Sequence, residues 1–124
     1  MEKHSLEDRA YLEKLFKLLG NFCPVCGLDL KQPAWPGGEP EWGLICPCCG
    51  IEFGVKDVLP EFLDIYRNWR KEWIADGMKW KSRKVPIDFP NDELTLEKLR
   101  SFPDDSPTNW DPKKQLENIP PEFK

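Results

Sequence analysis

The sequence predicts an α+β fold: a small zinc ribbon, built on a short β-hairpin, with α-helices packed before and after it. Three observations lead to this prediction. Two turns of the form C-P-x-C-G occur at 23–27 and 46–50, and 19 residues separate the first turn's second cysteine from the second turn's first. A helical apolar pattern precedes the two turns, and a second one follows them. At 124 residues the chain is expected to form a single domain over 1–124.

The first predicted element is a helix over residues 6–19. Ser5 and Asp8 have the spacing of a capping box, and apolar residues then recur at helical spacing as far as Leu19. Gly20 is the type of residue that ends helices, because glycine adopts positive φ without steric cost.

The zinc ribbon is predicted over residues 21–55. Strands near 28–31 and 42–45 are expected to flank a loop rich in proline and glycine. In each cysteine turn the proline and the glycine shape a tight loop, in which backbone N–H groups can point at thiolate sulfurs. A ribbon of this size buries too little apolar surface to fold alone, so we expect it to depend on the metal and on the helices.

A second helix is predicted over residues 60–76. Phe62, Tyr66, Trp69 and Trp73 follow one another at i, i+4, i+7 and i+11, which places them on one face. The periodicity favours packing in the core over an exposed platform for stacking bases.

The C-terminal part, 85–124, is predicted to be rich in loops, with two short helices. Asn91 or Thr95 can start the first of them. Asp111 and Pro112 have the residue types of an N-cap and a first helical position, so they are expected to start the second.

The predicted metal ligands are Cys23, Cys26, Cys46 and Cys49. Their spacing is typical of a four-thiolate zinc site. Four protein thiolates complete the tetrahedral coordination of Zn²⁺ and leave no open position for a catalytic water. The sequence therefore predicts one structural Zn²⁺, with iron as the alternative metal. Cys48 is a spare thiol that could replace Cys49 as a ligand, act as a redox-sensitive group, or have no role.

Composition and charge limit the classes of function. The net charge of −4 gives the chain no general attraction for nucleic acid. His4 is the only histidine and no phosphate-binding glycine motif is present, so we expect a protein that is not an enzyme. No apolar run reaches the length of a membrane span, and the N-terminus lacks the pattern of a secretory signal. These features predict a cytoplasmic location.

A basic segment at 67–84 supports an alternative function, binding of nucleic acid, because cationic side chains interleaved with aromatic ones can clamp phosphates and stack bases. We expect the acidic residues between 88 and 111 to neutralise part of it. The cationic residues of the segment are Arg67, Arg70, Lys71, Lys79, Lys81, Arg83 and Lys84.

Three stretches carry a resemblance to known families: ICPCCGIEFG at 45–54, WIADGMKW at 73–80 and NWDPKKQLENI at 109–119. The chain resembles small uncharacterised bacterial zinc-ribbon proteins with C-P-x-C-G and C-P-C-C-G turns. It is also similar to the cysteine-rich CPCC family, whose members occur near bacterial toxin and defence genes and usually carry C-P-C-C in the first turn. The turns resemble those of rubredoxins as well, which implies electron transfer.

The function expected from these observations is non-catalytic binding of a macromolecular partner. A protein is the first choice of partner, and the CPCC resemblance implies a toxin-immunity or defence role, such as neutralising a basic toxin or nuclease. Nucleic-acid binding through 67–84 is the alternative, and rubredoxin-like electron transfer is the third.

Overall fold

The structure is a computed structural model that describes residues 2–57 and 60–124, with the backbone alone for residues 2–9. Its regular elements are helical. The α-helices are α1 (Glu2–Leu19), α2 (Phe62–Ala75), α3 (Leu96–Ser101) and α4 (Pro112–Gln115). Single 3-10 turns occur at Pro36–Gly38, Asn91–Glu93, Leu116–Asn118 and Pro121–Phe123. Among the described helices, none combines the length and the apolar character needed to cross a bilayer.

Both long helices form where they are predicted, but α1 is longer at its start. Helix α1 ends at Leu19 as predicted, and Gly20 follows with φ of 65°. Its backbone is helical from Glu2, so the predicted start at residue 6, with Ser5 and Asp8 as a capping box, is wrong. Helix α2 occupies most of the predicted range 60–76.

The short C-terminal helices begin at the predicted cap residues. Thr95 accepts a hydrogen bond from the Lys98 N–H at 3.1 Å and starts α3. Asp111 accepts one from the Lys114 N–H at 3.2 Å and starts α4. Because each cap satisfies a backbone donor that the helix itself leaves unpaired, these residues define where the short helices start.

The predicted α+β zinc ribbon with a short β-hairpin is wrong. In the described part of the chain, β-pairing is limited to isolated bridges, and neither a sheet nor a hairpin forms. The bridges are Phe22 with Asp29, Ile45 with Glu52, and Arg83 with Asp104. The fold is helical with long loops.

The physical reason lies in the two segments predicted to be strands, 28–31 and 42–45. Each pairs only with residues that flank its own cysteine turn, at the first two bridges. Lys31 has φ of 65° and Gly43 has φ of 85°, so the chain leaves the extended conformation where a strand would have to continue. The two segments therefore cannot pair with each other over the length of a hairpin.

An aromatic core joins α1, the loop that follows the first cysteine turn, α2 and the C-terminus. Phe16 stacks on Trp35 with ring centroids 5.1 Å apart, and it also contacts Phe62 at 5.8 Å and Phe123 at 5.4 Å. Phe123 is fully buried, which fixes the C-terminus in the core.

The aromatic face of α2 confirms the prediction of core packing. Phe62, Tyr66 and Trp73 are buried, and Trp69 is partly buried against the core. Burial of aromatic side chains of this size is a large stabilising contribution in a small protein. Helix α2 is thereby held beside both cysteine turns.

Candidate metal centre

The two cysteine turns have the same backbone geometry. The Gly27 N–H donates to the Cys23 carbonyl at 2.9 Å, and the Gly50 N–H donates to the Cys46 carbonyl at 2.8 Å. Both glycines have φ of 82°, a conformation that other residues rarely adopt. In each turn the first cysteine also donates its N–H to the carbonyl five residues later, at 2.8 and 2.9 Å. The repeated sequence therefore folds into two copies of one turn.

The turns bring four thiols together. The Sγ atoms of Cys23 and Cys49 are 3.7 Å apart, those of Cys26 and Cys46 are 3.6 Å apart, and all four lie within 4.8 Å of one another. In a tetrahedral site with Zn–S bonds of about 2.3 Å, neighbouring sulfurs are roughly 3.8 Å apart. A disulfide would need about 2.05 Å, so these thiols are free. The four cysteines form a buried group that can hold a metal ion.

Burial and hydrogen bonds between the thiols shift the pKa values of these cysteines in opposite directions. Loss of hydration raises the pKa of Cys23, and it raises the pKa of Cys26 and Cys49 further. The pKa of Cys46 is lowered, because hydrogen bonds from the neighbouring thiols stabilise its thiolate. Four thiolates in one buried group would repel one another, and a divalent cation offsets that repulsion.

Helix α2 holds both turns from one side. The Trp69 indole N–H donates to the Cys49 carbonyl at 2.9 Å. The Arg70 guanidinium donates to the Pro24 carbonyl at 2.7 Å and to the Val25 carbonyl at 2.8 Å. Burial lowers the pKa of Arg70, and the nearby cysteines act in the opposite direction. One turn of α2 therefore satisfies carbonyls in both cysteine turns.

The C-terminal segment holds the first turn from another side. The Gln115 side-chain amide donates to the Cys26 carbonyl at 3.0 Å, and the Asn118 amide donates to the Gly27 carbonyl at 3.1 Å. The approach is close: a Cβ atom on Gly27 would lie 2.2 Å from the Gln115 backbone oxygen. Only glycine fits at this point of contact.

Cys48 lies outside the group of four. Its thiol is fully buried, beside that of Cys26, and 3.4 Å from the Gln115 amide nitrogen. The Lys81 N–H donates to its carbonyl at 3.1 Å. The structure thus places Cys48 next to the metal-binding group, in a position enclosed by protein.

The structure divides the predicted basic segment 67–84 into parts with different surroundings. Arg70 is engaged by backbone carbonyls, and Arg67 donates to the Lys124 carbonyl at 2.8 Å. Lys81 pairs with Asp76 at 3.4 Å, so its acidic partner comes from the end of α2. From 88–111, Asp104 lies opposite Arg83 at a β-bridge, and hydrogen bonds from Ser106, followed by the charges of Arg83 and Lys84, lower the pKa of Asp104. Trp80, expected to interleave with these cations, is buried.

Hydrogen-bond donors also cluster around Asp57, whose side chain is fully buried. Its carboxylate accepts hydrogen bonds from the Trp35 indole N–H at 2.8 Å, the Gly54 N–H at 2.6 Å and the Tyr66 hydroxyl at 2.5 Å. Burial, and then the charge of Asp57, raises the pKa of Tyr66. The cluster ties the loop after the second turn to α2 and to the aromatic core.

The sequence does not identify several residues that contact the two cysteine turns. It places Arg70 in a basic segment and Trp69 in the core, and neither position indicates a contact with a cysteine turn. Gln115 and Asn118 lie in the stretch 109–119 that carried the family resemblance, which was the available signal for their importance. That signal did not indicate that they contact the first cysteine turn.

Comparison with known proteins finds relatives in Bacillus subtilis (strain 168). The chain is similar to uncharacterized protein YoaQ, with 32% identity over 69 residues that cover 45% of this chain and 58% of YoaQ. It is also similar to uncharacterized protein YozI, with 29% identity over 103 residues that cover 64% of this chain and 83% of YozI. No protein-family model and no solved structure matches the chain. The resemblance to the CPCC family therefore stays a prediction.

Proposed function

We propose that the protein is a non-catalytic module that holds one structural Zn²⁺ through Cys23, Cys26, Cys46 and Cys49 and binds a protein partner. The observation that carries the proposal is the burial of the four ligand side chains, which are 0 to 2% exposed. Four thiolates closed off from water leave no coordination position for a substrate or a reactive water. Soft thiolate ligands suit zinc and also suit iron, which remains the alternative metal.

Exposed apolar side chains around the second cysteine turn support the binding of a protein. Trp42 is 69% exposed, and Ile45 and Val55 are exposed nearby in the sequence. Trp42 lies against Gly54, where a Cβ atom would be 2.7 Å from its ring, so the indole has a defined position. Large apolar side chains held in solvent are typical of interaction sites.

One observation favours nucleic-acid binding as the second candidate function: Lys79, Lys81 and Arg83 line the same groove. It ranks second because Arg70 is engaged by carbonyls and Trp80 is buried, which removes a cation and an aromatic ring from the predicted binding segment. Electron transfer remains the third candidate, and it requires iron in place of zinc.

Two measurements on the full chain test the proposal. Elemental analysis of the purified protein should find zinc, whereas a coloured, iron-loaded protein with a reversible one-electron potential would favour electron transfer. Affinity capture in the native host, after nuclease treatment and at moderate salt, should enrich a specific protein over a tag-only control. Capture of a toxin whose gene lies beside the gene of this protein would support the toxin-immunity or defence role that the CPCC resemblance implies. Enrichment of no protein would contradict the proposal.

A further inference from the structure

A groove of about 680 Å³ lies between the second cysteine turn, the C-terminal end of α2 and α3. Four cationic side chains line it: Lys79, Lys81, Arg83 and Arg100. Among its described lining residues the one acid is Asp76, which pairs with Lys81 at 3.4 Å. In the described part of the chain no carboxylate lies within ion-pair distance of the other three cations, but Asp104, opposite Arg83 at a β-bridge, offsets part of the Arg83 charge. The groove therefore has a net positive charge within an acidic protein.

Apolar side chains also line the groove. Leu96 on α3 is 64% exposed, and Leu99, one turn later, is partly buried. Trp69 lies at the side of α2, where its hydrogen bond to the Cys49 carbonyl holds the ring in place. The groove is thus formed on the metal-binding turn and combines cationic groups with aliphatic surface.

We propose that this groove binds a short acidic segment of the partner protein, in which carboxylates accompany aliphatic side chains. The inference rests on the proposed protein-binding function and specifies the chemistry of the partner. Carboxylates complement the unpaired cations, and aliphatic side chains of the segment cover Leu96 and Leu99. The volume lies within the range of about 300–1,000 Å³ for ligand pockets, which suits a few residues of peptide. A partner with a basic net charge can also carry such an acidic segment.

Nucleic acid fits the groove less well. Single-stranded nucleic acid gains affinity from aromatic rings on which its bases stack. Trp73 and Trp80 are buried, and Trp69, the aromatic side chain among the described lining residues, is partly buried with its indole N–H donated to the Cys49 carbonyl. The most exposed apolar residue of the lining is Leu96, which has no ring. The cations alone would attract phosphates, but the aliphatic lining would stay uncovered. The combination favours a peptide.

The test uses the metal-loaded full chain and two fluorescent probes. One is a synthetic peptide with two glutamates for each leucine, and the other is a ten-nucleotide oligothymidine. The groove variant carries K79E, R83E and R100E. The matched control carries K71E, K113E and K114E, which make the same charge change at exposed lysines that are not among the described lining residues. Metal content and circular dichroism verify that all variants fold.

We expect the chain to bind the peptide, and the groove variant to weaken binding by about tenfold or more, because several charge pairs are lost. The control should stay within about twofold, since exposed distant charges are screened by salt. A further variant, L96S, should weaken peptide binding by about fivefold through lost apolar burial.

Three results of the probe measurements, and one of the capture experiment, would overturn the inference. The first is tighter binding of oligothymidine than of peptide, with loss in the groove variant. The second is absence of peptide binding, or equal weakening in groove variant and control. The third is no effect of L96S, which would leave only charge attraction. Capture of the same partner by the wild type and the groove variant would reject the groove and keep the proposed protein-binding function. Failure to capture any partner would reject that function itself.

Discussion

Arg70 joins parts of the chain that are distant in sequence, and its replacement by methionine should destabilise the metal-loaded protein. The guanidinium donates to the carbonyls of Pro24 and Val25 in the first cysteine turn and to the Phe123 carbonyl at 2.7 Å. Methionine keeps most of the length of the side chain and its apolar contacts but removes every donor. The variant therefore leaves three carbonyls without their protein partner.

The magnitude follows from the number and surroundings of these hydrogen bonds. A hydrogen bond from a charged donor contributes about 1.5–3 kcal/mol, and an unsatisfied buried acceptor costs about 1–3 kcal/mol. Arg70 is partly buried, so water can replace some of the lost bonds, and its lowered pKa indicates that burial of the charge already carries a cost. We expect R70M to lower the free energy of unfolding by about 3 kcal/mol.

The assay is urea unfolding of the zinc-loaded protein, followed by circular dichroism. R67M is the matched control on the same helix. Arg67 is exposed, and both its hydrogen bond to the Lys124 carbonyl at 2.8 Å and its pair with Asp64 at 3.4 Å are open to water, so their loss should cost about 1 kcal/mol. R70K should recover only part of the loss, since a lysine cannot reproduce the fork of donors. Equal unfolding free energies for R70M and R67M would refute the reasoning that α2 holds the first turn through this side chain.

Three other perturbations follow from the geometry. G27A should destabilise by more than about 2 kcal/mol in urea unfolding, through positive φ and the contact with Gln115, whereas G37A has open space and should cost less; equal costs would contradict this. D57A should cost about 3–5 kcal/mol in the same assay because it leaves two buried donors and the partly buried Gly54 N–H unpaired, and a loss below about 1 kcal/mol would argue against that network. Acidification should release the metal, as a zinc-sensitive dye would report, because the bound thiolates must become protonated. Unchanged metal occupancy in acid would contradict the thiolate site.

Local signals in the sequence were sufficient for most helix boundaries, although α1 begins at Glu2 and not at residue 6. Gly20 marks the end of α1 because the chain there needs a positive φ, and the aromatic period from Phe62 to Trp73 reports the buried face of α2. Thr95 and Asp111 indicate helix starts because their side chains accept hydrogen bonds from nearby backbone groups. These interactions span only a few residues, so residue type and spacing are enough to predict them.

The prediction of a hairpin was wrong because strand pairing depends on which distant backbone groups meet, and residue type does not show this. Nothing in the residue type of Lys31 reveals its φ of 65°, which turns the chain after the first cysteine turn. Proline and glycine between the turns were compatible with a hairpin loop and equally with the irregular loop and 3-10 turn that form. Local pairing around each cysteine turn took the place of pairing between the two segments.

The candidate metal centre also has a part that the sequence predicts and a part that it does not. Cysteine spacing predicted the four thiols that the structure brings together, because each C-P-x-C-G turn is a local unit. Their supporting partners act across 20 to 91 positions of the sequence, from Trp69 with Cys49 to Asn118 with Gly27. The sequence does not predict the hydrogen-bond network of Asp57 either, because a single aspartate in a loop gives no indication that three donors surround it.

Native mass spectrometry of the purified chain and its single cysteine-to-serine variants tests the central claim most directly. The account predicts one zinc per wild-type chain, loss of the metal and of folding cooperativity in C23S, C26S, C46S and C49S, and full metal occupancy in C48S. The Cys48 thiol is the matched control, because it is as buried as the ligands and lies beside Cys26. Loss of zinc from C48S together with its retention in C49S would contradict the assignment of the four ligands.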